Sequence, residues 1–166
     1  MFLATADDSG VPSGRIVLLK GFDSKGFVFF TNYNSRKGSN IKANPFVAID
    51  FHWKEIARQV RITGKAEKIS EGESDHYFSS RSLESRISAI ISPQSQIIPD
   101  RTFLEEKYNE MKNNLNNNDA KRPSHWGGFR IVPDLFEFWQ QRQHRLHDRI
   151  QYRSVNKKWV IERLAP

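Results

Sequence analysis

Short apolar runs broken by turn residues fill the first third of the chain, a pattern typical of β-strands. The residues at 23–26, Asp-Ser-Lys-Gly, predict a hairpin turn between two of these runs. A short helix is predicted to open at 35–39 and to end near Pro45, because the residue before a proline avoids helical angles. The predicted strands are 2–6, 15–22, 26–31, 46–51 and 59–69.

Apolar residues recur at helical spacing in the middle of the chain. Ser70 and Glu73 form a capping box that opens one helix. A second helix is marked by apolar residues between 83 and 91, and a third is capped by Thr102 and Glu105. The middle of the chain is therefore expected to be helical.

After an asparagine-rich segment at 113–119, predicted to be an exposed loop, the strand pattern returns. Pro133 and Asp134 are predicted to form a turn between the first two of these strands. The predicted strands are 128–132, 135–140, 148–153 and 159–164. Strands, helices and strands again predict an α+β domain that is mainly β, an antiparallel barrel with helices packed to one side. With 166 residues, no repeat and no linker, one domain is expected.

The charge balance favours an anionic partner. Lysine and arginine number 26 against 19 acids, for a net charge of +7. Nucleic acid, an acidic membrane surface and small phosphorylated ligands all fit this balance. The lack of cysteine excludes disulfides, thiolate zinc sites and cysteine nucleophiles, and favours the cytoplasm. No apolar run approaches the length of a membrane span, and the first residues lack a signal-peptide pattern.

Three arginines and two histidines crowd residues 139–149. In an extended chain, Arg145, His147 and Arg149 would share one face. Such a row of cationic donors suits phosphate or carboxylate. A solvated edge strand explains the same charges equally well.

Two further cationic segments suggest anion binding. The Ser-Arg-Lys sequence at 35–37 stands where a helix begins, so backbone N–H groups and two cations meet there. An ordinary serine cap with solvated cations explains it as well. Arg15 and Lys20 end one apolar strand but differ in parity, so a regular strand would send them to opposite faces.

Tyr77, Arg81 and Ser85 would align on one side of a continuous helix and form an anion cage. Gln59 and Gln94 are candidates to orient a polar heterocycle, although most glutamines are surface residues. Each of these signals is weak alone.

Several familiar sites are not predicted. The chain has no Walker loop and no GxGxxG sequence, and His144 and His147 lack a carboxylate at zinc spacing, so no metal is expected. Three tryptophans among many arginines would suit single-stranded nucleic acid. However, the cations fall in short clusters between apolar strands, and no nucleic-acid module is recognisable.

Together the clusters resemble the FMN-dependent pyridoxine (pyridoxamine) 5′-phosphate oxidase family. The resemblance runs in order through Arg-Ile-Val-Leu-Leu-Lys at 15–20, Arg-Gln-Val-Arg at 58–61, Glu-Phe-Trp-Gln at 137–140 and Arg-Leu-His-Asp-Arg at 145–149. Shorter matches stand at 31–32, 35–37, 77–78, 80–81, 94–95, 126–128 and 163–166.

The resemblance implies a split β-barrel that forms a homodimer with FMN at the subunit interface. The implied FMN contacts are Arg15, Ile16, Val17, Leu18, Leu19, Lys20, Phe30, Thr31, Arg36, Lys37, Gln59, Gln94, Ser95, Trp139 and Arg149. The implied contacts to the substrate phosphate are Lys20, Tyr77, Arg81 and Ser85. Arg145 and His147 are expected to lie over the substrate ring as the catalytic pair.

The implied reaction converts pyridoxine or pyridoxamine 5′-phosphate to pyridoxal 5′-phosphate. Hydride passes from the C4′ carbon to N5 of FMN, and oxygen then reoxidises the flavin to give hydrogen peroxide. Ser82, Ser88 and Gln141 depart from the family pattern of proline, glycine and glycine. The family's N-terminal lid segment is expected to be absent from this chain.

Overall fold

The computed structural model describes residues 1–115 and 120–166. Its strands are β1 (Phe2–Ala6), β2 (Pro12–Ile16), β3 (Gly21–Asp23), β4 (Gly26–Asn32), β5 (Phe46–Trp53), β6 (Arg58–Lys68), β7 (Trp126–Gln140), β8 (Asp148–Val155) and β9 (Lys158–Arg163). Its helices are α1 (Arg36–Ala43), α2 (Glu71–Ser79), α3 (Leu83–Ile91) and α4 (Thr102–Asn114). The loop predicted at 113–119 lies mostly outside the described residues, and its first two residues instead end α4.

The chain forms two compact units. The first comprises Met1–Phe29, Asn40–Glu67 and Arg130–Pro166, and the second comprises Phe30–Ser39 and Lys68–Phe129. The expectation of one domain over all residues stays a prediction.

The first unit holds part or all of every described strand. These strands follow the order β2-β1-β5-β6-β7-β4-β3, and β8 pairs with both β7 and β9. The register sets Leu3 opposite Ile49 and Ile49 opposite Ile62. Each of the three is at most 1% exposed, because alternation along each strand turns them to the same buried face. This open, mainly antiparallel sheet agrees with the predicted α+β class.

Two strand predictions were wrong. Residues 15–22 do not form one strand, since β2 ends at Ile16 and β3 begins at Gly21. Backbone N–H groups between β2 and β3 still have hydrogen-bond acceptors: Val17 N donates to Met1 O at 3.0 Å and Lys20 N to Val28 O at 2.9 Å.

Pro133 and Asp134 do not form a turn, because β7 runs through both without a break. Proline adopts extended angles readily and only lacks a donor. Two glycines, one on each strand beside β7, let neighbouring backbone approach β7 closely just before the proline. A Cβ on Gly64 would lie 2.1 Å from Val132 O, and one on Gly26 would lie 2.0 Å from Ile131 O.

The helices follow their predicted signals with one exception. The capping box of Ser70 and Glu73 opens α2 as predicted. The cap predicted for α4 was wrong, because Thr102 is its first helical residue and Asp100 Oδ1 accepts from Phe103 N at 2.9 Å. A carboxylate is a strong acceptor for the exposed N–H groups at a helix start. Among the described helices, none is long and apolar enough to cross a membrane. The cytoplasmic location stays a prediction.

Candidate active site

In the second unit, the start of α1 holds one cation of the predicted phosphate site. Lys37 Nζ donates to Gln94 Oε1 at 2.8 Å, to Thr31 Oγ1 at 3.1 Å and to Ser35 Oγ at 3.3 Å. Thr31 Oγ1 donates to the same Gln94 oxygen at 3.2 Å. Arg36 is exposed beside them as the first residue of α1. Three predicted FMN contacts, Thr31, Lys37 and Gln94, are thus brought together.

An aromatic stack in the same unit contacts a partly buried guanidinium. The ring of Phe30 stacks on Tyr77 with centroids 3.9 Å apart, and Trp126 lies 5.5 Å from Phe30. Arg81 Cζ lies 4.7 Å from the centroid of the Trp126 ring, a cation–π contact. Its Nη1 is buried with no hydrogen-bond partner among residues 1–115 and 120–166. Burial lowers the pKa of Arg81, opposed by its interaction with Tyr77. An unpaired buried donor on a cation requires an acceptor, and a phosphate oxygen fits it.

The continuous helix on which Tyr77, Arg81 and Ser85 would align does not form. Helix α2 ends at Ser79 and α3 begins at Leu83. Ser82 makes the break, since its Oγ accepts from Ser85 N at 3.3 Å and bonds to Ser85 Oγ at 3.0 Å.

A cavity of about 680 Å³ lies within the second unit. It brings together Arg81 and Gln94, from the predicted substrate and FMN contacts, with Trp126 and Asn32. Residues of α3 and α4 complete its lining. Ser95, another predicted FMN contact, is exposed with a φ of 71° directly after Gln94.

In the first unit, the side chain of Arg15 is engaged by neutral polar groups. It donates to Thr5 Oγ1 at 2.8 Å and to Ser13 Oγ at 2.5 Å. Asn40 Nδ2 donates to the same two hydroxyls, at 3.0 and 3.1 Å. The other predicted FMN contacts of this segment, Ile16, Val17, Leu18, Leu19 and Lys20, span the end of β2 and the irregular chain before β3. Ile16 and Leu18 are 73% and 67% exposed, and Lys20 is also exposed.

A buried carboxylate supports the predicted contacts on β7 and β8. Trp139 and Arg149 lie directly opposite each other in the register of these strands. Arg149 Nε donates to Glu137 Oε1 at 2.7 Å, and Arg61 donates to the other oxygen of Glu137. The Arg149 hydrogen bond lowers the pKa of Glu137, while burial opposes it and the Arg61 bond adds to it.

Sequence reasoning did not predict roles for Glu137 and Arg61. One signal was available: a single acid within the apolar strand 135–140, close in sequence to the cationic segment. An acid in such a strand must be paired to be buried.

The extended chain that would set Arg145, His147 and Arg149 on one face does not form, whereas the strand predicted from Asp148 does. A 3-10 turn covers Gln143–Arg145, with His144 and Arg145 at φ values of 55° and 60°, and β8 begins only at Asp148. The turn is closed by Arg142, whose N donates to His147 Nδ1 at 3.1 Å and whose Nε donates to Asp148 Oδ2 at 2.6 Å. Arg145 is exposed on this turn.

His147 and Gln59 both lie near Trp139. The rings of His147 and Trp139 have centroids 4.8 Å apart. Gln59 and Trp139 line one cavity of about 490 Å³ within the first unit. Gln59 Nε2 donates to Asp50 Oδ2 at 2.9 Å. Within the described residues no group of three or more potential metal ligands occurs, and the absence of a metal stays a prediction.

Sequence comparison decides the family. Residues 1–114 match the family described as pyridoxamine 5′-phosphate oxidase. Residues 126–166 match the pyridoxine 5′-phosphate oxidase C-terminal dimerisation region. The chain belongs to the pyridoxamine 5′-phosphate oxidase family.

Curated relatives of this family cover the whole chain. The pyridoxine/pyridoxamine 5′-phosphate oxidase of Trichormus variabilis is 53% identical over 167 residues, which are 100% of this chain and 78% of that protein. The protein of the same name from Legionella pneumophila strain Paris is 49% identical over 166 residues, 100% of this chain and 77% of its own length. The prediction of an oxidoreductase is confirmed by these relatives.

Solved structures confirm the split-barrel fold. PhzG from Burkholderia lata, crystallised with tetrahydrophenazine-1-carboxylic acid, has a TM-score of 0.91 and 30% identity over 99% of this chain and 80% of its own. A pyridoxamine 5′-phosphate oxidase-related, FMN-binding protein from Nostoc punctiforme has a TM-score of 0.77 at 19% identity, over 99% of this chain and 87% of its own. At that identity the second likeness concerns the fold alone.

Proposed function

We propose that this chain oxidises pyridoxine or pyridoxamine 5′-phosphate to pyridoxal 5′-phosphate with FMN as cofactor. Two curated relatives at 53% and 49% identity carry this activity in their names. The observation that carries the proposal within the structure is the buried Nη1 of Arg81 beside Tyr77, which has no hydrogen-bond partner among the described residues. A phosphate monoester supplies the acceptor that this guanidinium needs. Lys20 and Ser85 are the other residues proposed to bind that phosphate.

The residues of the chain fit FMN. In the second unit the Thr31, Lys37 and Gln94 cluster, with Arg36 and Ser95, offers hydroxyl, amide and cationic groups for a phosphate. Phe30 adds an aromatic face. In the first unit Gln59, Trp139, Arg149 and residues 15–20 are proposed contacts. Bound FMN would supply the hydride acceptor, at N5, which oxygen then reoxidises to give hydrogen peroxide.

The task of the protein is to hold the substrate so that C4′ is placed for hydride loss. His147 Nδ1 accepts a backbone N–H, so the ring proton resides on Nε2 and this nitrogen is a donor. Arg145 is the second proposed catalytic residue, a cation presented by a turn whose ends are tied by Arg142. Together they are proposed to orient the substrate ring and to offset the negative charge that a hydride would bring to the cofactor, while the C4′ hydroxyl or amine would release a proton.

The match of residues 126–166 to a dimerisation region supports a homodimer. We extend this to FMN bound at the interface between the two subunits, with the phosphorylated pyridine substrate and oxygen as the small-molecule partners.

Anaerobic flavin reduction tests the activity. The protein is loaded with FMN, pyridoxine 5′-phosphate is added without oxygen, and the bleaching of the visible flavin bands is followed. We expect bleaching in the wild type and slowing on the order of 10²-fold in Arg145→Ala, with unchanged FMN affinity. Arg153→Ala is the matched control, because Arg153 is an exposed arginine of the same unit paired with Glu162. An unbleached wild type contradicts the function, and equal losses of rate and FMN affinity contradict the role of Arg145.

A further inference from the structure

Asp50 is a carboxylate with no assigned role, and it contacts a proposed cofactor residue. It lies on β5, and the register of β5 with β6 sets Asp50 opposite Arg61 and His52 opposite Gln59. Asp50 and Gln59 are therefore diagonal neighbours on the same face of the sheet. Since Ile49 faces the core, Asp50 and Gln59 lie on the other face.

The contact determines which end of the Gln59 amide faces Asp50. Gln59 Nε2 lies 2.9 Å from Asp50 Oδ2. A carboxylate only accepts hydrogen bonds, so the amide must present its NH₂ group to Asp50. Turning the amide over would place Gln59 Oε1 against Asp50 Oδ2, two acceptors with no hydrogen between them, and would break this hydrogen bond.

The second oxygen of Asp50 makes this preference strong. Oδ1 is buried and has no hydrogen-bond partner in the described part of the chain. Reversal of the amide would then leave both carboxylate oxygens without the donors that burial demands. The Gln59 carbonyl oxygen is consequently turned away from Asp50 as a hydrogen-bond acceptor.

We propose that Asp50 is a positioning residue that turns Gln59 Oε1 toward the cofactor, so that this oxygen accepts from an imide N–H of the ring. The inference rests on the proposed function, in which Gln59 contacts FMN. Gln59 lines a cavity with Trp139, a second proposed contact. The oxidised isoalloxazine ring carries one N–H group, at N3, so the contact selects for an unsubstituted imide.

Binding of FMN and of 3-methyl-FMN, measured by quenching of flavin fluorescence in the apoprotein, tests this selection. Methylation removes the N3 donor, so the wild type is expected to bind 3-methyl-FMN roughly tenfold more weakly than FMN. In Asp50→Leu the amide is free to turn, and the ratio of the two affinities is expected to fall to about twofold. The side chain of Asp50→Asn can hydrogen-bond to the Gln59 amide in either orientation. Its ratio of the two affinities is expected to lie between the wild-type ratio and that of Asp50→Leu.

The ratio separates positioning from a general structural effect, because loosening of the fold weakens both flavins equally. Asp134→Leu is the matched control, since Asp134 also hydrogen-bonds a β6 side chain, Thr63, at 2.7 Å. It is expected to keep the wild-type ratio. The inference is overturned if the wild type and Asp50→Leu give the same ratio. It is also overturned if the wild type binds both flavins equally. A wild type that binds neither flavin contradicts the proposed function itself.

Discussion

At the scale of single residues, the pairing of Glu137 gives a pH-dependent contribution to stability. Its hydrogen bond from Arg149, reinforced by Arg61, holds its pKa below the ordinary value of 4.5. The unfolded chain therefore binds more protons than the folded chain as the pH falls below about 4.5. The stabilisation is fully present above that pH and is lost as the pH falls through the folded pKa.

We expect Glu137→Gln to lower the free energy of unfolding by about 2 kcal/mol at pH 7, because both arginines lose a buried anion. The difference from the wild type should shrink as the pH falls below 4.5, and it should be lost once the pH has passed through the lower pKa of the folded carboxylate. Urea unfolding across pH 3–8 measures this difference. Glu162→Gln is the control, since its exposed pair with Arg153 is expected to contribute little to stability. A constant difference down to pH 3 would show that the charge of Glu137 is not the cause.

The sequence suggested a chemistry for residues 35–37 but not their contacts. Their residue types suit a phosphate ligand, and an ordinary serine cap with two solvated cations explains them as well. The contacts of Lys37 with Thr31 and Gln94 could not be predicted, because Thr31 and Gln94 are 63 positions apart and nothing local records that distance. The role of Asp50 was not predicted for the same reason, since its significance comes only from its neighbour on the next strand.

At the scale of elements, local signals predicted the helices well wherever a cap was present. The box of Ser70 and Glu73 opened α2 as predicted. Local signals were misleading where tertiary contacts determine the backbone conformation. Pro133, for example, continues β7 between two closely approaching strands instead of forming a turn. The turn at 143–145 was not predicted, because hydrogen bonds from Arg142 close it and its left-handed residues are not typical turn-forming types.

The break between α2 and α3 depends on the side chain of Ser82, which caps α3. Ser82→Ala is expected to lower the free energy of unfolding by about 1 kcal/mol, and Ser82→Asp to retain it. Ser79→Ala is the matched control, because the Ser79 hydroxyl donates to His76 O at 2.8 Å and caps nothing. Denaturant unfolding of the three variants gives the comparison. Equal losses in both alanine variants would mean that Ser82 does not act as a cap.

At the scale of the whole molecule, the fold class followed from the order of strands and helices, but the strand order did not. The placement of β5 between β1 and β6 depends on long-range pairing that alternation alone leaves open. The positive charge suggested an anionic partner without identifying it. The motifs shared in order with the family favoured small phosphorylated ligands over nucleic acid or a membrane surface. The subunit interface was likewise implied only by resemblance.

The structure offers a face for that interface within the residues that match the dimerisation region. Phe136 lies opposite Tyr152, and Tyr152 lies opposite Ile161, so one face of β7, β8 and β9 is apolar. Trp159 packs on Phe136 with ring centroids 5.3 Å apart, yet Trp159 is 46% and Ile161 60% exposed. An exposed apolar face of this kind is typical of a protein interface.

We therefore expect Ile161→Lys to convert the dimer to a monomer, because a charge would be buried against the partner without a counterion. Size-exclusion chromatography with light scattering measures the mass. FMN affinity should fall in parallel if the cofactor lies between the subunits. Val11→Lys is the control, since Val11 is 52% exposed and lies outside the residues that match the dimerisation region. An Ile161→Lys protein that stays dimeric, or a Val11→Lys protein that dissociates as readily, would place the interface on another surface.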